Sequence, residues 1–264
     1  MNWTRLAAAS ILGFLTLTAT ASADTLSDIQ ARKKLIVAID LGLPPYGTVD
    51  AAMKPTGSDV EAARLLAADL GVELEIVPST GANRIPMLQT GKVDIVMSSF
   101  SVTAERKKVI DFSIPYGVIK IICAAPKDLA IADVKDLEGK TVAVTRGTGA
   151  DMDATKLVKA NPKISIVRFD DDATLITALA SGQQTIMISA PAQMEDINAK
   201  APSTPIVTKF VVRTNGYAVG IRKGEEALKA RIDAWIAKDL ADGKLRAVYK
   251  QFHHADLPEV MPTN

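Results

Sequence analysis

The stretch Ser98-Ser-Phe-Ser-Val-Thr-Ala-Glu-Arg-Lys-Lys108 gathers more ligand-type chemistry than the rest of the sequence. It offers hydroxyls at Ser99, Ser101 and Thr103, a guanidinium at Arg106, and the free N–H groups of a loop about to enter a helix. A guanidinium grips a carboxylate through two parallel hydrogen bonds, and the positive end of a helix adds to that grip. The chemistry indicated is capture of an anion, above all a carboxylate. The same residues also suit a plain helix start, with Thr103 as N-cap and Glu105 to Lys108 as a solvated charged face.

The stretch directly follows an apolar run at 93–97, one of many that alternate with amphipathic segments. That alternation predicts an α/β fold. Strands are expected at 35–39, 73–77 and 93–97, with helices at 58–70, closed by Gly71, and at 83–89, stopped by Thr90-Gly91. Residues 111–116 lead into an extended segment through 124. A second block has its own rhythm. It has a short helix at 133–137, strands at 141–145, 165–169 and 184–188, and helices at 149–160 and 173–181. Segments 207–212 and 217–221 read as extended, and helices at 225–241 and 244–252 complete the chain. Extended segments on both sides of the second block make the chain cross between two lobes twice, which implies a hinge and a cleft. Ligands of α/β sheets sit beyond the carboxyl ends of the strands, where helix N-termini present free N–H groups.

Composition narrows the functions. Residues 1–23 show a charged start, an apolar core from Leu6 to Ala19 and the small-residue site Ala21-Ser22-Ala23, the pattern of a cleaved secretory signal peptide. The apolar core is too short and interrupted for a membrane span, and no Cys follows the site to carry a lipid. Removing the segment takes one of the 31 basic residues, Arg5, and none of the 30 acidic ones, so the remainder is nearly neutral. A basic nucleic-acid binder is therefore a poor reading. The single Cys123 lies in an apolar run and suits a buried structural thiol. His253 and His254 are the only histidines, which leaves little for a zinc site or a Ser-His-Asp triad. No cofactor or metal is expected.

Three segments in order, Asn83-Arg-Ile-Pro-Met-Leu-Gln-Thr-Gly-Lys-Val-Asp94, Ser98-Ser-Phe-Ser-Val-Thr-Ala-Glu-Arg106 and Asp111-Phe-Ser-Ile-Pro-Tyr116, closely resemble the bacterial extracellular solute-binding proteins of family 3. These are the polar amino-acid receptors of ABC importers. The resemblance covers essentially the whole chain after residue 23. It implies a periplasmic, monomeric, two-lobed binding protein of type II that hands its ligand to an inner-membrane ABC permease. Lobe 1 would comprise residues 24–120 and 213–264, with lobe 2, residues 121–212, inserted. Carried over by position, Arg106 would grip the ligand carboxylate, helped by Ser101, and Ser99 would offer its carbonyl to an ammonium. The loop Thr145-Arg-Gly-Thr-Gly-Ala150 would close from lobe 2, with Gly147, Thr148 and Gly149 presenting N–H groups to the same carboxylate. That loop lacks the Gly-Lys-Ser/Thr ending of a nucleotide-binding P-loop. Asp40, Leu43 and Tyr46 fall in the family's pocket-wall loop. Arg84 resembles an arginine that meets the side-chain carboxylate in acidic amino-acid receptors. As residues alone, Asp40 also suits a turn cap, Tyr46 a packing ring on a Pro-rich turn, and Arg84 a surface or inter-lobe ion pair.

The sequence also departs from the family. Ala190 stands where an Asp usually holds the α-ammonium, and a buried ammonium needs another acceptor, such as Asp40 or Glu195. Gly81 stands where many relatives carry a ring, which is expected to widen the pocket. These departures favour three ligands over a standard basic amino acid: an acidic amino acid using Arg84, an ω-amino acid or amino-acid derivative, or an amine-free carboxylate, with the acidic or amino-acid-like ligand placed first. Two other functions remain open. One is a periplasmic dehydratase drawing on Asp40, Asp151 or Glu195, and the other is a loaded sensory adaptor.

Overall fold

The computed structural model describes residues 24–262; the expected signal peptide, residues 1–23, lies outside them. In chain order the first elements are α1 (Thr25–Arg32), β1 (Lys34–Ile39), the small ribbon β2 (Thr48–Val49) and β3 (Pro55–Thr56), α2 (Ser58–Leu70) and β4 (Glu73–Pro78). They are followed by α3 (Arg84–Gln89), β5 (Ile95–Val96), α4 (Ala104–Lys107) and the long β6 (Asp111–Pro126). The second block holds β7 (Thr141–Thr145), α5 (Gly149–Ala160), β8 (Ser165–Phe169), α6 (Asp172–Ala180), β9 (Met187–Ser189) and α7 (Pro191–Lys200). The long β10 (Ile206–Ile221), α8 (Glu226–Ala241) and α9 (Lys244–His253) complete the order.

Eight strands form one sheet in the order β4-β1-β5-β10-β6-β9-β7-β8. On one side β1 runs parallel to β4 and β5; on the other β7 runs parallel to β8 and β9. The antiparallel pair β6 and β10 joins the two halves, since β10 meets β5 at Gly220 and β6 meets β9 at Ile122 to Ala124. The extended runs expected at 207–212 and 217–221 are one strand. Asn215-Gly216 does not turn, because its register with β6 continues through Ile119 and Val118. Register shifts near Phe210, Arg213 and Ala218 mark irregularities of the kind that bend and twist a strand pair. At Gly117 a side-chain carbon would stand 2.0 Å from the Tyr217 ring, so only glycine lets these strands lie so close.

Helix ends follow local chemistry. Asp24 caps α1 through the Leu26 N–H, Thr148 caps α5 through the Asp151 N–H, and Gly71 closes α2 in the left-handed region. Helix α7 lies within the stretch between the expected strand at 184–188 and the extended run at 207–212, which carried no expected element. Its signal is the proline at its first position rather than an apolar face, because only Gln193 and Ile197 are buried. The strand expected at 184–188 is shorter and later, at Met187–Ser189. Trp235 is 1% exposed in the core under α8, its indole N–H donating to Asp239. Cys123 is fully buried and free, and burial pushes its thiol up to about 12, as suits an inert packing residue.

Candidate functional site

The carboxyl ends of β1, β5, β7 and β9 converge where the two halves meet. The cavity there has about 400 Å³ of empty space, part of it open to solvent. Asp40 after β1, Arg84 at the start of α3, and Ser99 and Ser101 after β5 line it from one side. Thr148, Gly149 and Ala150 at the start of α5, with Asp172, Ser189, Ala190 and Gln193, line it from the other. Ile119 and Ile121 of β6 form its floor.

Strict local geometry holds the β5 loop. Ser99 has φ 41°, an uncommon conformation for a residue with a side chain. Its N–H donates to Asp59 Oδ2 at 2.5 Å, and the other oxygen of Asp59 accepts the Tyr116 hydroxyl at 2.7 Å. Asp59 is fully buried, and burial pushes its carboxyl up to about 6 against those two hydrogen bonds. Next in the chain, Phe100 lies under two guanidinium groups, Arg84 at 4.6 Å and Arg106 at 4.5 Å from the ring centre.

Both arginines are buried, 4% and 1% exposed. Arg84 Nη1 donates to the Ser98 carbonyl at 2.8 Å, and Arg106 Nη1 donates to the Ser101 carbonyl at 2.7 Å. Arg106 Nη2 reaches across the cleft to the Gly147 carbonyl at 2.9 Å. The Nε of each arginine is buried without an acceptor. Among the described residues neither is paired with a carboxylate. Burial and then the charges of Arg84 and Arg213 weigh against the charged form of Arg106. Nearby carboxylates, Asp40, Asp172 and Asp59 around Arg84 and Asp153 and Glu105 around Arg106, offset part of that cost without bonding either guanidinium, and an anion that enters beside them offsets more.

Some expected roles shift. The Gly147 N–H donates to Asp151 Oδ2 at 3.0 Å, so Gly147 offers Arg106 its carbonyl and does not offer a ligand its N–H. The N–H groups of Gly149 and Ala150, in the first turn of α5, remain the ones with no intrahelical acceptor. Arg106 stands behind Ser101 and outside the cavity lining, whereas Arg84 is in it. Tyr46 is a packing residue: its ring meets Tyr217 edge-on at 5.7 Å and His253 at 4.7 Å, away from the cavity. Gly81 does not widen the pocket. A side-chain carbon there would stand 2.5 Å from the Arg146 carbonyl, and one on Gly147 would stand 2.5 Å from the Gly81 carbonyl. The two backbones thus touch across the cleft in the space a ring would take.

Of the acids considered as proton donors or ammonium partners, only Asp40 lines the cavity. Asp151 pairs with Arg168, and Glu195 borders a separate groove near His253. Burial raises the Asp40 carboxyl, opposed by the Gly42 N–H and by Arg84. The reading from sequence missed Asp172, 4% exposed, which accepts from the Thr145 hydroxyl and the Gln193 amide. Burial and then the charge of Asp40 push its carboxyl up to about 7. In sequence it is the last of Asp170-Asp171-Asp172, a run that reads as helix capping. Among the described residues no group of three or more His, Cys, Asp or Glu is placed to hold a metal ion.

The family model described as bacterial extracellular solute-binding proteins, family 3, matches residues 35–255. The L-cystine-binding protein TcyJ of Escherichia coli (strain K12) is 29% identical over 235 residues, 88% of this chain and 87% of that protein. A mutant of ArgBP from T. maritima superposes with a TM-score of 0.78 at 31% identity, covering 88% of this chain and 100% of that one. An ancestral amino acid-binding protein, AncCDT-1, described as a precursor of cyclohexadienyl dehydratase, superposes with a TM-score of 0.77 at 33% identity, covering 86% and 99%.

Proposed function

The chain belongs to the bacterial extracellular solute-binding proteins of family 3, and from that premise we propose that it is the periplasmic substrate-binding component of an ABC importer. Its solute is an amino acid or amino-acid-like carboxylate, which it delivers as a monomer to a membrane permease. The fold is that of type II periplasmic binding proteins. Among the described residues, 24–120 and 213–262 form one lobe and 121–212 the other, with β6 and β10 as the hinge.

One observation carries the reading: among the described residues Arg84, in the cavity lining, and Arg106, behind Ser101, are buried with no carboxylate bonded to either, on the side of the cleft opposite the first turn of α5. A ligand carboxylate binds Arg84 and Arg106 on the open first lobe. Closure then adds the Gly149 and Ala150 N–H groups, and Arg106 fastens the second lobe through Gly147. Closure is a shift in population driven by contacts that exist only in the closed form.

A thermal-shift screen of amino acids, ω-amino acids and plain carboxylates tests this. A ligand at one hundred times its Kd adds about 2.7 kcal/mol of stability, a shift of several degrees. A screen in which no carboxylate raises the midpoint contradicts the reading. A dehydratase reading draws on Asp172, whose carboxyl is pushed up to about 7 inside the cavity and so suits proton transfer near neutral pH. Turnover of prephenate by the purified protein would favour it; stoichiometric binding without product would exclude it.

A further inference from the structure

Ala190 leaves the usual place of the ammonium acceptor apolar, and the cavity offers a different one. Asp172 is held at the start of α6 with both protein hydrogen bonds on Oδ1, from Thr145 and Gln193. Gln193 is fixed in turn, since its carbonyl accepts from the Ser189 hydroxyl and, at 3.1 Å, from the Ala190 N–H. Among the described residues Oδ2 of Asp172 has no partner, although the side chain lines the cavity. Asp40 lines the same cavity from the other lobe, and among the described residues its carboxylate accepts only from the Gly42 N–H in its own turn, at 3.0 Å.

Charge decides what fits between them. The lining holds two carboxylates, Asp40 and Asp172, against one guanidinium, Arg84, while behind it Arg106 and Arg213 are matched by Asp59 and Asp153. An amine-free carboxylate or an acidic amino acid would add to that buried negative charge. A solute with one carboxylate and at least one cationic nitrogen adds none. We propose that Asp172, faced by Asp40, takes the ligand's cationic nitrogen, so that the solute is a net-neutral or net-cationic amino acid. This rests on the carboxylate-receptor reading above; it sets aside the acidic amino acid expected from the sequence and readmits a basic one. It also gives closure a gate. The two carboxylates sit on opposite lobes and oppose closure until a cation lies between them.

The test is calorimetric titration of the full chain with each standard amino acid and its deamino counterpart, L-glutamine with glutaramate for example. The wild type, Asp172→Asn and Asp40→Asn are compared. The inference predicts that an amino acid of net charge zero or above binds the wild type and that its deamino counterpart binds at least a hundredfold more weakly. Asp172→Asn should weaken the amino acid at least tenfold. If Asp172→Asn fails to fold, Asp40→Asn and the deamino comparison on the wild type still decide. Equal binding of the deamino compound, tighter binding of L-glutamate than of any neutral or basic amino acid, or unchanged affinity in both variants overturns the inference and leaves the carboxylate receptor standing. No binding by any compound overturns the receptor reading and this inference with it.

Discussion

Arg106 is singled out by its type at a strand-to-helix junction and Arg84 by resemblance to a family motif; in the structure Arg84 lines the cavity and Arg106 stands behind Ser101. Asp172 is not singled out, because a capping aspartate and a cavity aspartate look alike in sequence and only burial separates them. That burial has a measurable consequence. In the unfolded chain the Asp172 carboxyl ionises near pH 4, whereas in the folded protein it is pushed up to about 7. Between those values the folded state binds the extra proton, so this group's contribution to stability is greatest in acid and declines as pH rises from about 4 to about 7. Asp172→Asn removes the titration while Asp59 and His253 titrate in both proteins. Guanidinium unfolding without added ligand at pH 5 and pH 8 should therefore show the wild type losing on the order of 1–3 kcal/mol more than the variant over that range. Equal losses would show that Asp172 stays ionised in the cavity.

At the scale of elements, periodic apolar runs gave most strands and helices their places, since a buried strand or an amphipathic face shows in the residues that make it. Helix α7 escaped because it buries little and is set by Pro191 and the Gln193 contacts. Strand β10 reads as two runs because pairing with β6 overrides the local turn preference of Asn215-Gly216. The hinge pair depends on a close approach that sequence alone does not reveal. Gly117→Ala puts a methyl against Tyr217, whose ring also contacts Tyr46 and Tyr116 and has no room to retreat. It should cost about 1–3 kcal/mol in chemical denaturation, the usual penalty of an overpacked core. A neutral result would mean the strands separate there at little cost.

Across the whole molecule the two lobes meet through backbone at Gly81 and Gly147, and through Arg106 to the Gly147 carbonyl. The glycine that sequence reading took for a widened pocket is the seat of the opposing loop, a pairing visible only once both lobes are placed. Gly81→Trp should hold the lobes apart. Small-angle scattering with ligand present should then keep the larger radius of the open form, and affinity should fall at least tenfold; full compaction on ligand would show that the glycine contact does not limit closure. The central claim, that a solute's carboxylate is held by buried guanidinium groups at the cleft, is tested most directly by titrating wild type and Arg106→Ala with the amino acid that most stabilises the wild type. The account predicts a loss of at least ~2 kcal/mol, about thirtyfold in Kd, with the variant still folded. An unchanged Kd would contradict it.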